Sequence, residues 1–125
     1  MLLILSLPAT GLLPSASIID LVLGANLGGA VPPVIASLSG EASARRVTLG
    51  NLVVRAVGCL IALPFAQYGA DLAASLSLSP IKLPVDAHLV FNIVLAIVAW
   101  PLAGVFSKLM FRLVPQPQQN ETGPR

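Results

Sequence analysis

Four stretches of this chain, residues 1–19, 21–40, 56–70 and 87–107, contain no Asp, Glu, Lys or Arg. A helix needs about 20 predominantly apolar residues to cross the hydrocarbon core of a bilayer, and these stretches reach or approach that length. Composition agrees: 56% of the chain is hydrophobic and 10% charged, with a mean hydropathy of +0.91. A soluble domain carries about 25% charge, because its surface must face water. So few charged side chains cannot coat a soluble sphere, which excludes a soluble enzyme, a disordered chain and a secreted disulfide scaffold. The chain reads as an all-α integral membrane protein, and its 125 residues hold about three spans at that helix length.

Smaller signals narrow the field. A net charge of +2 without a basic patch interleaved with aromatics gives no reason to expect a nucleic-acid partner. Cys59 is the single cysteine, so it forms no intrachain disulfide and packs as a small hydrophobe. The N-terminal stretch lacks the basic region of a secretory signal. Leu7-Pro8-Ala9-Thr10-Gly11 spells a sortase-type sorting sequence, but at this end of the chain it is a coincidence. Asn120-Glu121-Thr122 matches a glycosylation acceptor in a polar tail and is read the same way. No paired carboxylate, Ser/His/Asp pattern or metal-ligand cluster suggests catalysis.

Prolines and glycines divide the chain. Residues 1–12 could form the end of a helix broken near Leu13-Pro14, and Ser15 or Ser17 can cap the next one. That helix meets Gly24, Gly28, Gly29, Pro32 and Pro33 within ten residues, all of them opposed to continuous helix. The expected geometry is a helix ending near Gly24, unwound backbone to Ala30, and a half-helix from Val31 to Leu38 opened by prolines acceptable in its first turn. A polar loop follows at 39–46, then a span at 46–68 and a short interfacial helix from Asp71 to Leu78. A second full span, 85–113, is kinked at Pro101, and a disordered tail occupies 116–125. The domain reading is thus a membrane transport-repeat unit over 1–114 and a cytoplasmic tail over 115–125. The repeat unit holds one discontinuous or re-entrant helix and two full spans. Arg45 and Arg46 precede one span while Lys108 and Arg112 close the next, so all four mark one side. The positive-inside rule makes that side, with loop 39–46 and the C-terminus, cytoplasmic.

Unwound backbone at membrane depth is tolerated where it lines a cavity or is buried in protein, and such breaks build substrate and ion sites in secondary transporters. Exposed amides at the start of a half-helix would attract an anion, and freed carbonyls a cation. The plainer alternative is that Gly24 and Gly28, a G-x-x-x-G pair, let helices pack closely. Polar side chains inside spans are costly and so become candidates with a partner. Asn51 and Arg55 are four apart on one helical face, as are His88 and Asn92. Arg55 lies about 15 Å beyond Arg45 along a helix, as an anion ligand or as the partner of an acid such as Asp20. A structural ion pair or a snorkelling side chain is the alternative. His88 is expected to cap or hydrogen-bond between helices, Asn92 to join helices, and Asp20 to be a solvated end.

Leu23-Gly24-Ala25-Asn26-Leu27-Gly28-Gly29, followed by a small-residue half-helix and a loop ending in Arg45-Arg46, resembles the sodium/phosphate cotransporter family. That family carries inverted repeats, each with a Gln-Ser-Ser motif, a helix, and a G-[AS]-N-[IL]-G-T-T signature. Ala87-His88-Leu89-Val90-Phe91-Asn92 is similar to its A-H-x-x-F-N pattern, and the likeness runs over residues 1–114. The resemblance implies a multi-pass cell-membrane protein that moves phosphate inward with sodium, the coupling ion, without another cofactor. It implies that Gly24, Asn26, Gly28 and Gly29 border the substrate and ions, alongside Asn51, Arg55 and Asn92 from the reading of the spans. The chain departs from the pattern in three places. It has no Gln-Ser-Ser, it has Gly29-Ala30 for Thr-Thr, and it has Asn51 and Arg55 for the family's His and Asn. It therefore reads as the later part of one repeat, needing another repeat or subunit to complete a site. The alternative is a non-transporting helical membrane subunit that packs against a larger partner.

Overall fold

The computed structural model describes residues 14–76, 79 and 81–115; the expected helix at 1–12 and tail at 116–125 lie outside them. Every regular element in that range is helical. Pro14, extended at φ −59° and ψ 146°, precedes α1 (Ser15–Gly28) and accepts the first helical bond, from the Ile18 amide at 3.3 Å. Ser15 and Ser17 already lie inside the helix and do not cap it.

The break after α1 is shorter than expected. Helix continues through Gly24 and Gly28, and the interruption is confined to Gly29-Ala30 before α2 (Val31–Ser37). Gly29 is itself in the right-handed helical region, and its amide reaches the Ala25 carbonyl at 2.9 Å. The physical reason is a contest of magnitudes. A glycine in a helix costs about 1 kcal/mol relative to alanine, whereas an unpaired backbone group in hydrocarbon costs several. The prolines decide where the ladder must fail. Pro32 and Pro33 have no N–H to return to the carbonyls of Gly28 and Gly29.

After a turn, α3 (Ala42–Ala62) starts from extended Glu41. A 3₁₀ turn at Leu63–Phe65, tightened where Pro64 cannot donate, leads directly into α4 (Ala66–Ser75). This longer segment replaces the expected 46–68 span and separate helix at 71–78. The last helix, α5 (Leu83–Leu113), has Asp86 in its first turn and Arg112 in its last, each the favourable sign for the helix dipole. Its 31 residues extend about 46 Å, more than a hydrocarbon core, and Pro101 lies inside it.

Three segments, Ser15–Ser37, Ala42–Ser75 and Leu83–Leu113, are long and apolar enough to cross a membrane. Contacts set their directions. Ser37 meets Thr48, Asn26 meets Arg55 and Leu23 meets Cys59, so α1 and α2 continue one way along α3 without doubling back. Along α3, Gly50 faces Met110 and Gly58 faces Leu95, which makes α5 antiparallel to α3. A Cβ at Gly58 would come within 2.6 Å of Leu95 Cδ1, so that side chain would have to shift to admit it.

The outside is far more apolar than that of a water-soluble bundle. Large apolar side chains such as Ile35, Leu60, Ile97 and Trp100, the last 85% exposed, point outward. Asn26, Ser37 and Arg46 are buried. The outer faces suit lipid and the polar groups are kept between helices, the arrangement a bilayer demands. This is a membrane protein.

Candidate functional site

On α1 the residues Ile18, Val22 and Asn26 recur every four positions, and Ala30 in the break continues the spacing. All are buried, so they form the stripe that faces the other helices. Asn26 is the polar member of that stripe and is 3% exposed. In an apolar seam its amide needs partners. Its Nδ2 donates to the Val22 carbonyl at 3.0 Å. Its Oδ1 accepts two bonds, one from Arg55 Nη1 at 2.9 Å and one from Asn92 Nδ2 at 2.9 Å. One amide oxygen thereby ties α1, α3 and α5 together at a single level.

Each donor is held from its own helix. Arg55 Nε donates to Asn51 Oδ1 at 3.2 Å, one turn earlier on α3. Asn92 Nδ2 also donates to the His88 carbonyl at 2.7 Å, one turn earlier on α5. The four-residue spacings seen in the sequence therefore produce the expected same-face pairs. Asn26, Asn51, Arg55 and Asn92 form one connected network. Below it, Cys59 Sγ donates to the Leu23 carbonyl at 3.3 Å.

The electrostatics of the network are one-sided. Among the described residues both hydrogen-bond partners of Arg55 are neutral amides. The expected alternative partner, Asp20, is exposed and lies six positions from Asn26, about 9 Å along α1. Arg55 Nη2 and the Asn92 Oδ1 have no hydrogen-bond partner among the described residues. Both residues are half-buried rather than sealed, so part of a planar guanidinium fork remains open to a further acceptor.

The glycines behave differently from the amides. Gly24, Gly28 and Gly29 are exposed and are not in the network. A Cβ at Gly24 or Gly28 would meet nothing within 4 Å, so neither residue serves packing among the described helices, and neither is unwound. What the break offers is a pair of carbonyls, Gly28 and Gly29, deprived of helical donors by the two prolines. His88, expected to cap or hydrogen-bond between helices, contributes its main-chain carbonyl to Asn92 on its own helix, and its Nδ1 is buried without a partner among the described residues.

Two further connections were not anticipated. The hydroxyls of Ser37 and Thr48 approach to 2.7 Å and join α2 to α3. Arg46, read from the sequence only as a marker of membrane side, is 9% exposed. Its Nε donates to the Val114 carbonyl at 2.8 Å, and its guanidinium lies 4.0 Å over the Phe111 ring, a cation–π contact. That contact brings the start of α3 and the end of α5 to the same end of the bundle, so the four basic residues share one side. A lone Arg in an Arg-Arg pair carries no sequence mark of burial; only the facing Phe111 makes it so.

Comparison with known proteins gives relatives over nearly the whole chain. It is 31% identical over 121 residues to the Salmonella typhimurium protein named "Putative inorganic phosphate export protein YjbB", with 97% of this chain and 22% of that protein covered. The Escherichia coli K12 protein of the same name matches with the same figures. Bacillus subtilis YqeW is 29% identical over 105 residues, covering 84% of this chain and 34% of that protein. The chain thus spans between a fifth and a third of the length of these curated relatives. No protein-family model matches the chain, and no solved structure does.

Proposed function

We propose that this chain supplies a phosphate-binding element of a membrane transporter, with sodium as the coupling ion. The observation that carries the reading is Arg55. An arginine roughly 14 Å along α3 from Arg46 is near the middle of a bilayer, where a cation is costly and is retained for a partner. Its partners in this chain, Asn26 and Asn51, are uncharged. They orient the fork without neutralising it, which leaves the charge for an oxyanion. Relatives bearing a phosphate-export name support phosphate as that oxyanion.

The sodium part rests on the break and on the family resemblance. With Thr-Thr replaced by Gly29-Ala30, the oxygens on offer are the Gly28 and Gly29 carbonyls. These are hard ligands of the kind that transporter breaks present to sodium. Arg55 and the exposed glycines leave one side of the site open, to be completed by another repeat or subunit. With the four basic residues on one side, the positive-inside rule supports a cytoplasmic loop 39–46 and C-terminal end in a cell inner membrane.

Phosphate flux measured in both directions in proteoliposomes of the native protein tests this reading. Arg55→Gln is expected to lower flux by about tenfold or more, Arg55→Lys to retain part of it, and replacing sodium with choline to stop it. Unchanged flux in Arg55→Gln would remove the anion role, and flux indifferent to sodium would remove the coupling. A second reading, a non-transporting subunit, is favoured by the open face at Gly24 and Gly28, which a partner helix could approach closely. It predicts that Gly28→Leu dissociates a complex and that Arg55→Gln leaves flux intact.

A further inference from the structure

A cavity of about 530 Å³ lies between α3 and α5 with no α1 residue in its lining, and of the residues in the phosphate reading only Asn51 borders it. Its walls are mostly small or apolar, with Val54, Ala99 and Ala103 along them and Asn51 as the polar side chain at membrane depth, and Arg46 stands at its far end beside Phe111. From Ala99 to Phe111 the groove follows α5 for about 18 Å, close to one leaflet of hydrocarbon at about 15 Å. A slot of that length, apolar along its run and cationic at the end, has the polarity of one phospholipid.

Arg46 is prepared for a phosphate. Its Nε is committed to the Val114 carbonyl and its plane to the Phe111 ring, so the side chain is already fixed. The Nη groups have no hydrogen-bond partner among the described residues. Arg45, Lys108 and Arg112 sit at the same end of the bundle, against one carboxylate among the described residues, Glu41, which takes the Ser43 hydroxyl. Basic pockets between membrane helices on one side recognise anionic headgroups, and a fixed guanidinium favours phosphate over a point charge.

We propose that this groove binds one anionic phospholipid, its phosphate on Arg46 and one acyl chain along Val54, Ala99 and Ala103. The lipid would complete the seam between α3 and α5 at the basic end. Arg46 is about 14 Å from the level of Arg55, so the proposal stands independently of the substrate reading.

Native mass spectrometry of the intact protein, released from nanodiscs of equal phosphatidylglycerol and phosphatidylcholine, provides the test. Phosphatidylglycerol is expected to be retained about tenfold over phosphatidylcholine, and Arg46→Gln is expected to abolish that preference. Because Arg46→Gln also removes the bond to Val114, Ala103→Phe is the second variant. It fills the groove with every cation left in place and is expected to lower retention of both lipids. Arg55→Gln is expected to leave retention unchanged. Equal retention of the two lipids, or preference surviving in both groove variants, overturns the proposal. So does displacement of the lipid by millimolar inorganic phosphate, which would mark a simple anion site, or absence of any lipid because another segment of protein fills the groove.

Discussion

Replacing Asn26 with leucine removes the one acceptor shared by three helices while roughly keeping volume. Two donors lose their partner. The bond from Arg55 is charge-assisted and worth about 1.5–3 kcal/mol. The bond from Asn92 is a neutral interhelical one, for which membrane cycles average about 0.6 kcal/mol. The Val22 carbonyl keeps its helical bond, so losing Asn26 Nδ2 adds little. Added together, Asn26→Leu should cost about 2–4 kcal/mol, most of it from Arg55 Nη1, which loses its acceptor at 2.9 Å while Nε keeps Asn51. A second substitution separates that cost from packing. In Asn26→Leu with Arg55→Met no guanidinium is stranded, so the double variant should be more stable than the sum of the single effects by about 1–2 kcal/mol. Reversible unfolding of the intact protein in mixed micelles, followed by helical circular dichroism, reads both quantities. Additive effects, or an Asn26→Leu cost within about 0.5 kcal/mol of zero, would refute the assignment of Asn26 as the hub.

Two further outcomes follow from the glycines and prolines. Gly58→Leu should separate α3 from α5, because even a Cβ there reaches 2.6 Å from Leu95 and 3.4 Å from Phe91. Gly24→Leu should leave the bundle intact, and a distance measured by spin labels on α3 and α5 distinguishes the two. Converting Pro32 and Pro33 together to alanine restores donors for Gly28 and Gly29. It should raise stability by about a kilocalorie per mole or more and slow amide exchange at 28–33. If the carbonyls hold sodium, it should also abolish sodium-dependent flux.

Much of the architecture was legible from charge alone. Runs without Asp, Glu, Lys or Arg announce spans because burying a charge in hydrocarbon is costly whatever the fold. The four-residue spacings of Asn51 with Arg55 and His88 with Asn92 put each pair on one helical face by geometry. The extent of the break was not legible. Gly24, Gly28 and Gly29 oppose helix locally, but the helix persists through Gly28 because unpaired backbone in an apolar setting costs more than glycine's propensity. The prolines, which no environment can supply with a donor, confine the break to Gly29-Ala30.

What the sequence determined by itself is therefore everything that depends on transfer from water to lipid and on helical periodicity. It settles membrane residence, all-helical structure, two full spans beside a discontinuous or re-entrant helix, and which polar residues share a face. The structure makes that first segment a third one long and apolar enough to cross. What tertiary structure decided is which faces meet. Asn26 on α1 could have paired with either neighbour, and Arg55 could have turned to Asp20. Only the antiparallel packing puts Arg55 and Asn92 both within 2.9 Å of Asn26 Oδ1. The same packing turns Arg46 from a solvent-side charge into a buried contact with Val114 and Phe111. Partner choice depends on the relative rotation and register of helices far apart in the chain, and no local pattern encodes that.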